Sequence, residues 1–379
     1  MGALDGQRFV YSTSDRRVAI GHSIAGILSC LTASTLILHL SYIMLQPVLQ
    51  RRQTGTAREP ESNALKRQVS LFLIFLFMAD LLQSVTGLMQ IRWASKGYID
   101  VNSAACRTQG VALMAGDLGV SYYNVVMAVH TFLTIITLRS ISMRVAVIVI
   151  AIGQIFMTVL TLIGPLVMTD ERGRFFGIAG LWCFISDAYV SPRFWLHYFI
   201  MYLSILIIFV VYIWVFWKLR MRQRTSIRTE SQVMSNPLGD QTQVRASHYN
   251  SVSYKMLSYP TSYAIIVLPI SIGRLMQVTG NQPPQEFLNF GIGLLMLSGF
   301  VNGVIYVLTR KTLSPFQYWH TPRPRLSFLR RDRPSNTPVI WVQTERQRHE
   351  GLDSKYSVEL GDSGGRADST VKVGSSGQV

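Results

Sequence analysis

Apolar residues along this chain gather in seven long blocks that are separated by polar segments. Each block is at least 22 residues long, and none shows the two-residue alternation of a half-buried strand. A helix rises about 1.5 Å per residue, so roughly 20 apolar residues cross a bilayer core of about 30 Å. The pattern predicts an all-α membrane protein, a bundle of seven transmembrane helices. The predicted helices are Val18–Leu45, Val69–Ile91, Thr108–Thr137, Val145–Met168, Phe194–Trp217, Met256–Val278 and Glu286–Leu308.

Positive charge is concentrated in alternate loops. The formal net charge is +16, and 26 of the 36 Lys and Arg residues lie in the first, third and fifth loops and the C-terminal tail. Cytoplasmic segments carry such an excess. We therefore expect a multi-pass protein of the plasma membrane with its N-terminus outside and its C-terminus in the cytoplasm. The charge orients the chain and attracts anionic lipid, and no nucleic-acid partner is expected.

The segments outside the helices differ in length and composition. Residues 1–17 form a short extracellular N-terminus, so any ligand is expected to bind within the helical domain, residues 18–308. The fifth loop, the third on the cytoplasmic side, covers about residues 218–255, and its first part is expected to extend the fifth helix. The cytoplasmic tail, residues 309–379, lacks hydrophobic periodicity and is predicted to be disordered. Basic residues precede four hydroxyl side chains that are either phosphorylation sites or parts of a solvated linker: Thr225, Ser226, Ser327 and Ser335.

Two of the three cysteines lie on the predicted outer side. Cys106 opens the third helix and Cys183 lies in the fourth loop. An oxidising exterior permits a bridge between them, so a Cys106–Cys183 disulfide is predicted. The seven histidines are scattered, with no pair at helical ligand spacing, so neither a metal nor another cofactor is expected.

Ionisable side chains at membrane depth point to a ligand site. Burying one costs roughly 2.5 kcal/mol or more on insertion scales, so such residues face the bundle interior and are functional by default. Asp117 heads a polar stripe on one face of the third helix. Arg274, near the outer end of the sixth helix, either extends its charge to the membrane surface or binds an anion. We predict a ligand site between helices 3, 5, 6 and 7 that contains Asp117, Asn124, His197 and Arg274; bridging helices by hydrogen bonds is the alternative for the carboxylate.

A second polar group is predicted in the inner half of the bundle. Asn302 and Tyr306 lie four residues apart on one face of the seventh helix, and Asn302 is within reach of Asp80 in the second. Pro269 is expected to kink the sixth helix. These four residues are the predicted conformational switch. The cleft that opens when helix 6 moves from helix 3 is expected to be lined by His130, Thr131, Arg139, Arg220 and Arg222; His130 is also expected to contact the second or fourth helix.

Several runs of residues carry a family resemblance. Phe77-Met78-Ala79-Asp80-Leu81-Leu82-Gln83 resembles helix 2 of G-protein-coupled receptors. Gly116-Asp117 followed by Ala128-Val129-His130-Thr131-Phe132-Leu133 resembles helix 3 of the fungal glucose and nutrient-sensing receptors and of the slime-mould cyclic AMP receptors. Residues 182–186, 194–198, 268–274 and 302–311 fit the same group. The resemblance implies an extracellular small-molecule ligand, a heterotrimeric G protein as partner and control of cyclic AMP.

The chain departs from rhodopsin-like receptors at three motifs. Their acidic-Arg-aromatic triplet is replaced by His130-Thr131-Phe132, and Gly303 follows Asn302 where those receptors have proline. The sixth helix has no Cys-Trp-x-Pro. Switching rules of that class therefore do not transfer as a whole.

Other functions of seven-helix proteins fit the sequence less well. A retinal-binding protein needs a lysine in the seventh helix, and the block Glu286–Leu308 has none. A zinc hydrolase needs clustered ligands, so no enzymatic activity is expected. A transporter is the alternative, although neither internal repeats nor broken helices are evident. The sequence leaves open whether the receptor forms a dimer.

Overall fold

The computed structural model describes residues 3–5, 8–54, 61–137, 141–168, 173–230, 258–277 and 279–309. The predicted disordered tail beyond Thr309, with Ser327 and Ser335, lies outside these residues, as do most of the fifth loop and Arg139. The side chains of Arg222, Thr225 and Ser226 also lie outside the described part.

Seven helical spans follow one another in the described chain. The seventh consists of two segments, and the fifth contains a stretch of π-helix. The spans are α1 (Thr13–Thr54), α2 (Glu61–Lys96), α3 (Ala104–Thr137), α4 (Met143–Val167), α5 (Val190–Arg193, Phe194–Tyr198 and Phe199–Glu230), α6 (residues 258–277) and α7 (Gln285–Met296 and Ser298–Thr309).

Six of these helices, with the two segments of α7 counted as one, are long and apolar enough to cross a membrane. Five of them meet this condition singly, and the two segments of α7, bent by 45° at Leu297, make a sixth span. α6 is not among them, since Arg274 and several hydroxyl-bearing residues lower its apolar character. Large apolar side chains remain exposed along α4 and α5, for example Ile155 at 66% and Phe209 at 61%. The chain is therefore a multi-pass, all-α membrane protein, as predicted.

The helices run past the apolar blocks because polar residues continue them. α1 begins five residues before the predicted Val18. Ser12 and Asp15 form reciprocal hydrogen bonds there: the Asp15 amide donates to the Ser12 hydroxyl (3.2 Å) and the Ser12 amide to the Asp15 carboxylate (3.0 Å). This capping box satisfies amides that have no partner within the helix. α5 likewise continues through Lys218 to Glu230, so the first part of the fifth loop extends the helix, as predicted.

The described residues also form five short strands, absent from the sequence prediction, in the N-terminal segment, before α3 and between α4 and α5. β1 (Ala3–Asp5), β2 (Arg8–Val10) and β3 (Tyr98–Asp100) form an antiparallel sheet. β4 (Phe176–Ile178) and β5 (Cys183–Ile185) form a hairpin between α4 and α5. Its turn places Gly180 at φ +82°, a left-handed conformation that favours glycine.

A disulfide ties this hairpin to α3. The bond joins Cys106, in the first turn of α3, to Cys183, the first residue of β5. The predicted pairing is confirmed. The helix ends near this bond are called the disulfide end of the bundle below.

Candidate functional site

Asp117 lies at the centre of a buried group of polar side chains. Its Oδ2 is 3.1 Å from Nε2 of His197 in α5. Its Oδ1 accepts a hydrogen bond of 2.5 Å from the side-chain amide of Gln83 in α2. All three side chains are less than 5% exposed. The carboxylate is thus shared by three helices, and Gln83 is a partner that the sequence did not identify.

The Asp117–His197 pair forms one wall of a narrow cavity at the disulfide end. Only about 10 Å³ of this cavity is open to a water-sized molecule, so the cavity is nearly closed in this conformation. Side chains from α3, α5, α6, α7 and β5, together with the residue before β5, surround it. The cavity lies where the ligand site was expected, and ligand binding there stays a prediction. The lining consists of Leu113, Asp117, Trp182, Phe184, His197, Tyr198, Met201, Ile270, Arg274, Ile292 and Leu295.

Arg274 brings a cation to the same cavity. It is only 6% exposed, which does not fit the interpretation of a charge extended to the membrane surface. One guanidinium nitrogen donates to Oε1 of Gln277 (2.8 Å), and the group lies 5.7 Å from the ring of Tyr198 and 5.9 Å from that of Trp182. Among the described residues Nε finds no hydrogen-bond partner. Such a group is suited to an anion or a strong hydrogen-bond acceptor.

A π-helical turn places His197 in the cavity. The turn covers Phe194–Tyr198 and leads directly into the long α-helical segment of α5. One extra residue in a helical turn rotates the side chains that follow, and such turns are frequent at functional sites. The ring of His197 packs 4.7 Å from Phe184 of β5 and faces Asp117. No feature of the apolar pattern predicts this turn.

A second buried cluster surrounds Asp80. The side-chain amide of Asn302 donates to Oδ2 of Asp80 (2.8 Å), so the predicted contact between α7 and α2 is present. The hydroxyl of Ser298 lies 2.7 Å from Oδ1 of Asp80 and 2.6 Å from Oε1 of Gln83. Ser298, like Gln83, was missed because a single serine or glutamine in an apolar run carries little signal.

The two clusters join into one chain of hydrogen bonds. Gln83 contacts Asp117 through its nitrogen and Ser298 through its oxygen. Ser298 has a single hydroxyl proton for two acceptors, so the hydrogen bond to Asp80 competes with the one to Gln83. The hydrogen-bond chain therefore has two alternative arrangements, one in which Ser298 donates to Asp80 and one in which Ser298 donates to Gln83. It runs, in order, through His197, Asp117, Gln83, Ser298, Asp80 and Asn302.

Gly303 explains one departure from the rhodopsin-like motifs. α7 approaches α1 so closely here that a Cβ on Gly303 would lie 2.1 Å from Cγ2 of Thr32. Any side chain here, proline included, would therefore require the Thr32 side chain to move. Tyr306, one turn further, is fully buried between His39 and Phe77, with ring centroids 6.4 and 6.3 Å away. Pro269 lies within the helical residues of α6 and is half-buried.

Asn124 does not line the cavity. Seven residues separate it from Asp117, which is roughly 10 Å along the helix. Its amide donates to the backbone oxygen of Val120 (2.8 Å), and its buried Oδ1 has no partner among the described residues. Between the two lies Ser121, whose hydroxyl is 2.5 Å from that of Tyr263 in α6. Ser121 and Tyr263, rather than Asn124, connect α3 to α6 near the site.

The predicted coupling residues occupy different environments. His130 is buried against α2, with Nε2 3.3 Å from Oε1 of Gln68 and its ring 5.4 Å from that of Phe72. The predicted contact with the second helix is therefore present. Thr131 is also fully buried. Arg220 is exposed on the extension of α5, over the ring of Phe216. In this conformation His130 and Thr131 do not reach the surface.

The N-terminal segment covers the disulfide end beside the cavity. The Tyr11 hydroxyl donates to the backbone oxygen of Leu181 (2.5 Å), next to the cavity residue Trp182, and lies 3.3 Å from Oε1 of Gln90. Burial, with a smaller effect of the Asp15 carboxylate, raises the pKa of Tyr11, so the hydroxyl keeps its proton. Tyr11 thus fastens the loop that carries Trp182.

Removing the Tyr11 hydroxyl is expected to weaken the contact between the N-terminal segment and the loop that carries Trp182. Tyr11→Phe should lower the unfolding free energy by about 1 kcal/mol and Tm by about 2–4 °C, because a buried carbonyl loses its donor. Thermal unfolding of the purified protein measures the shift. Tyr42→Phe, on the exposed surface of α1, is the matched control, and equal shifts for both variants would contradict the assignment.

Comparison with known proteins identifies the fold of this chain but does not assign it to a family. No protein-family model matches the chain, and no curated protein matches it. Among solved structures, it resembles the crystal structure of squid rhodopsin with a TM-score of 0.60 over 79% of this chain and 83% of that one. The sequence identity is 16%, so this likeness is one of fold alone. The chain has the seven-helix membrane fold of rhodopsin, and any closer kinship rests on the sequence motifs.

Proposed function

We propose that this protein is a G-protein-coupled receptor that binds a small extracellular molecule in the cavity around Asp117, His197 and Arg274. The observation that supports this best is the hydrogen-bond chain from that cavity to Asp80 and Asn302. A receptor must transmit a change in its ligand site across the bundle, and a two-state element that both ends can bias is the physical means.

The cavity determines which ligands fit. Arg274 offers an unpaired donor, Asp117 and His197 offer a polar wall, and Trp182, Phe184 and Tyr198 offer rings. A small polar molecule with an anionic or strongly accepting group suits this lining. Entry of such a molecule requires the narrow cavity to widen. Nutrient sensing at the plasma membrane and control of cyclic AMP are the finer parts of the proposal, and they rest on the family resemblance.

The contacts of α6 suggest how a signal would pass to the G protein. The Ser121–Tyr263 hydrogen bond joins α6 to α3, and a ligand that widens the cavity strains this contact. We expect the end of α6 away from the disulfide to move from α3. The cleft so formed would expose His130 and Thr131 and, together with Arg220 and Arg222 on the extension of α5, would accept the C-terminal helix of a Gα subunit; Arg139, predicted to take part, lies outside the described residues.

Two substitutions in the cavity test the ligand site. Asp117→Asn removes the charge that faces His197, and Arg274→Ala removes the cation. Each is expected to shift the ligand dose–response curve by about tenfold or more, since hydrogen bonds to charged groups contribute roughly 1.5–3 kcal/mol. Cells expressing each variant at equal surface density give the curves. Arg92→Ala, an exposed arginine at the disulfide end, is the control; unchanged curves for both cavity variants would refute the site.

One observation favours a second candidate, a transporter. The sequence was interpreted as having no broken helix, but α7 is interrupted at Leu297 and bends by 45°. Transporters bind substrates at such breaks. Uptake of candidate ligands into sealed vesicles distinguishes the two, because a receptor binds its ligand without accumulating it.

A further inference from the structure

Gln154 lies in an unusual position for a polar side chain. It sits near the middle of α4, more than about 15 Å from either end of the helix at the usual rise per residue. Its side chain is exposed at the surface of the bundle, where the solvent at that depth is hydrocarbon. Polar side chains within the membrane normally face the interior. The polar groups of Gln154 therefore need hydrogen-bond partners at a depth where the surrounding lipid offers none.

The hydrogen bonds of Gln154 are incomplete. A side-chain amide has two N–H donors and an oxygen that can accept. One N–H donates to the hydroxyl of Tyr123 in α3 (2.8 Å). Among the described residues, the second N–H and Oε1 have no partner. Acyl chains can satisfy neither group, and leaving them unsatisfied in hydrocarbon is costly.

We propose that a second copy of the chain docks on this face of α4, with Gln154 and the partner's Gln154 each donating one hydrogen bond to the other. Two copies inserted the same way are related by a two-fold axis along the membrane normal, so a given residue meets its counterpart at the same depth. One free donor and one free acceptor make the amide complementary to itself. Glutamine side chains hydrogen-bond across helices in membranes in this way.

The surroundings of Gln154 permit close approach. Ala151 and Thr158, about one turn to either side, are small and exposed. The Thr158 hydroxyl already donates to the backbone oxygen of Gln154 (2.7 Å), so it leaves no unpaired donor at the contact. Small residues allow helix backbones to come together.

A groove beside Gln154 offers room for the partner's side chains. It runs between α2, α3 and α4, with a volume of about 250 Å³ open to water-sized molecules, and apolar residues such as Met78, Leu82 and Leu162 line it beside Gln154. A sterol is the competing occupant, but its hydroxyl lies at the bilayer surface and not at the depth of Gln154. The depth therefore favours a second copy.

Association in a bilayer tests the proposal. The full-length protein, labelled with one fluorophore and reconstituted in phosphatidylcholine vesicles at several protein-to-lipid ratios, gives the dimer fraction by photobleaching steps. Gln154→Leu should raise the dimer dissociation constant about tenfold, because two interhelical hydrogen bonds are lost. Thr158→Val, on the same face, and Tyr123→Phe, which removes the internal partner of Gln154, should leave dimers in place. Loss of dimers in Tyr123→Phe equal to that in Gln154→Leu would show a structural role only and overturn the proposal.

Cross-linking tests which face is used and does not depend on the stability of Gln154→Leu. In a Cys30→Ser background, Ala151→Cys should cross-link between copies in oxidised membranes. Phe156→Cys, also exposed but about 140° around the helix from Ala151 and about 160° from Gln154, should not. Cross-linking at Phe156 alone, or a wild-type protein that stays monomeric at every ratio, would overturn the proposal. A thermal stabilisation by sterol that Gln154→Leu abolishes, with no dimer in the wild type, would assign the surface to lipid instead.

Discussion

Gln83→Leu is expected to reduce ligand-stimulated nucleotide exchange on Gα by at least tenfold while ligand affinity changes much less. Gln83 is the bridge between the cavity and the Asp80 cluster, with hydrogen bonds to Asp117 (2.5 Å) and Ser298 (2.6 Å). A hydrogen bond to a charged group contributes roughly 1.5–3 kcal/mol, and 1.4 kcal/mol is tenfold in an equilibrium. Asp117 keeps its contact with His197, so the ligand site itself survives. Coupling rather than binding should therefore fall.

The control for this variant lies in the same helix. Gln90 is equally buried and lies seven residues further along α2, but its side-chain oxygen accepts a hydrogen bond from Tyr11 at the disulfide end. Gln90→Leu makes the same chemical change outside the hydrogen-bond chain. Nucleotide exchange and ligand binding measured on both variants at matched Tm separate coupling from stability. An equal loss of exchange in both variants would remove Gln83 from the signalling path.

Loss of the disulfide is expected to have the largest effect on stability. Residues 77 apart in sequence are joined, and the chain-entropy model gives about 4 kcal/mol for such a loop. Cys106→Ser should therefore lower the unfolding free energy by about that amount. It should also weaken ligand binding, because Trp182, adjacent to Cys183, lines the cavity.

Matched cysteine variants distinguish the bond from the residues. Cys183→Ser and the double variant should each lose about as much stability as Cys106→Ser, since any of the three breaks the same bond. Cys30→Ser, at the unpaired cysteine in α1, should change little. Denaturant unfolding with and without reductant measures these differences. Additive losses in the double variant, or free alkylation of Cys106 in the folded, unreduced protein, would contradict the assignment.

The features that the sequence predicts are those governed by transfer into the membrane. Seven apolar blocks, each long enough to cross a bilayer, locate the helices, and the high energy of burying Asp80 and Asp117 directs both inward. The spacing of Asn302 on α7 then identifies a partner for Asp80, and the structure contains that hydrogen bond.

Features that depend on contacts between helices were not predictable in the same way. Gln83 and Ser298 are uncharged, so hydropathy gives them little weight, although they complete the hydrogen-bond chain. The π turn at His197 and the break at Leu297 occur within apolar runs whose composition does not change. Asn124 shares a helical face with Asp117, but that face extends beyond the cavity, so Asn124 does not line the cavity. The short strands are only three residues each, too short for a periodic pattern, and β3 pairs with β2 from a distant part of the chain.

Ligand-stimulated nucleotide exchange with purified components tests the central claim most directly. The receptor in lipid nanodiscs is combined with a panel of heterotrimeric G proteins, and a library of small polar molecules, anions included, is screened for faster nucleotide exchange. The account predicts that at least one molecule accelerates exchange by wild-type protein and by Arg92→Ala, and that Asp117→Asn and Arg274→Ala lose that acceleration at the same concentration. Acceleration that survives in both cavity variants, or vesicle uptake of library members with no exchange on any Gα subunit, would contradict it.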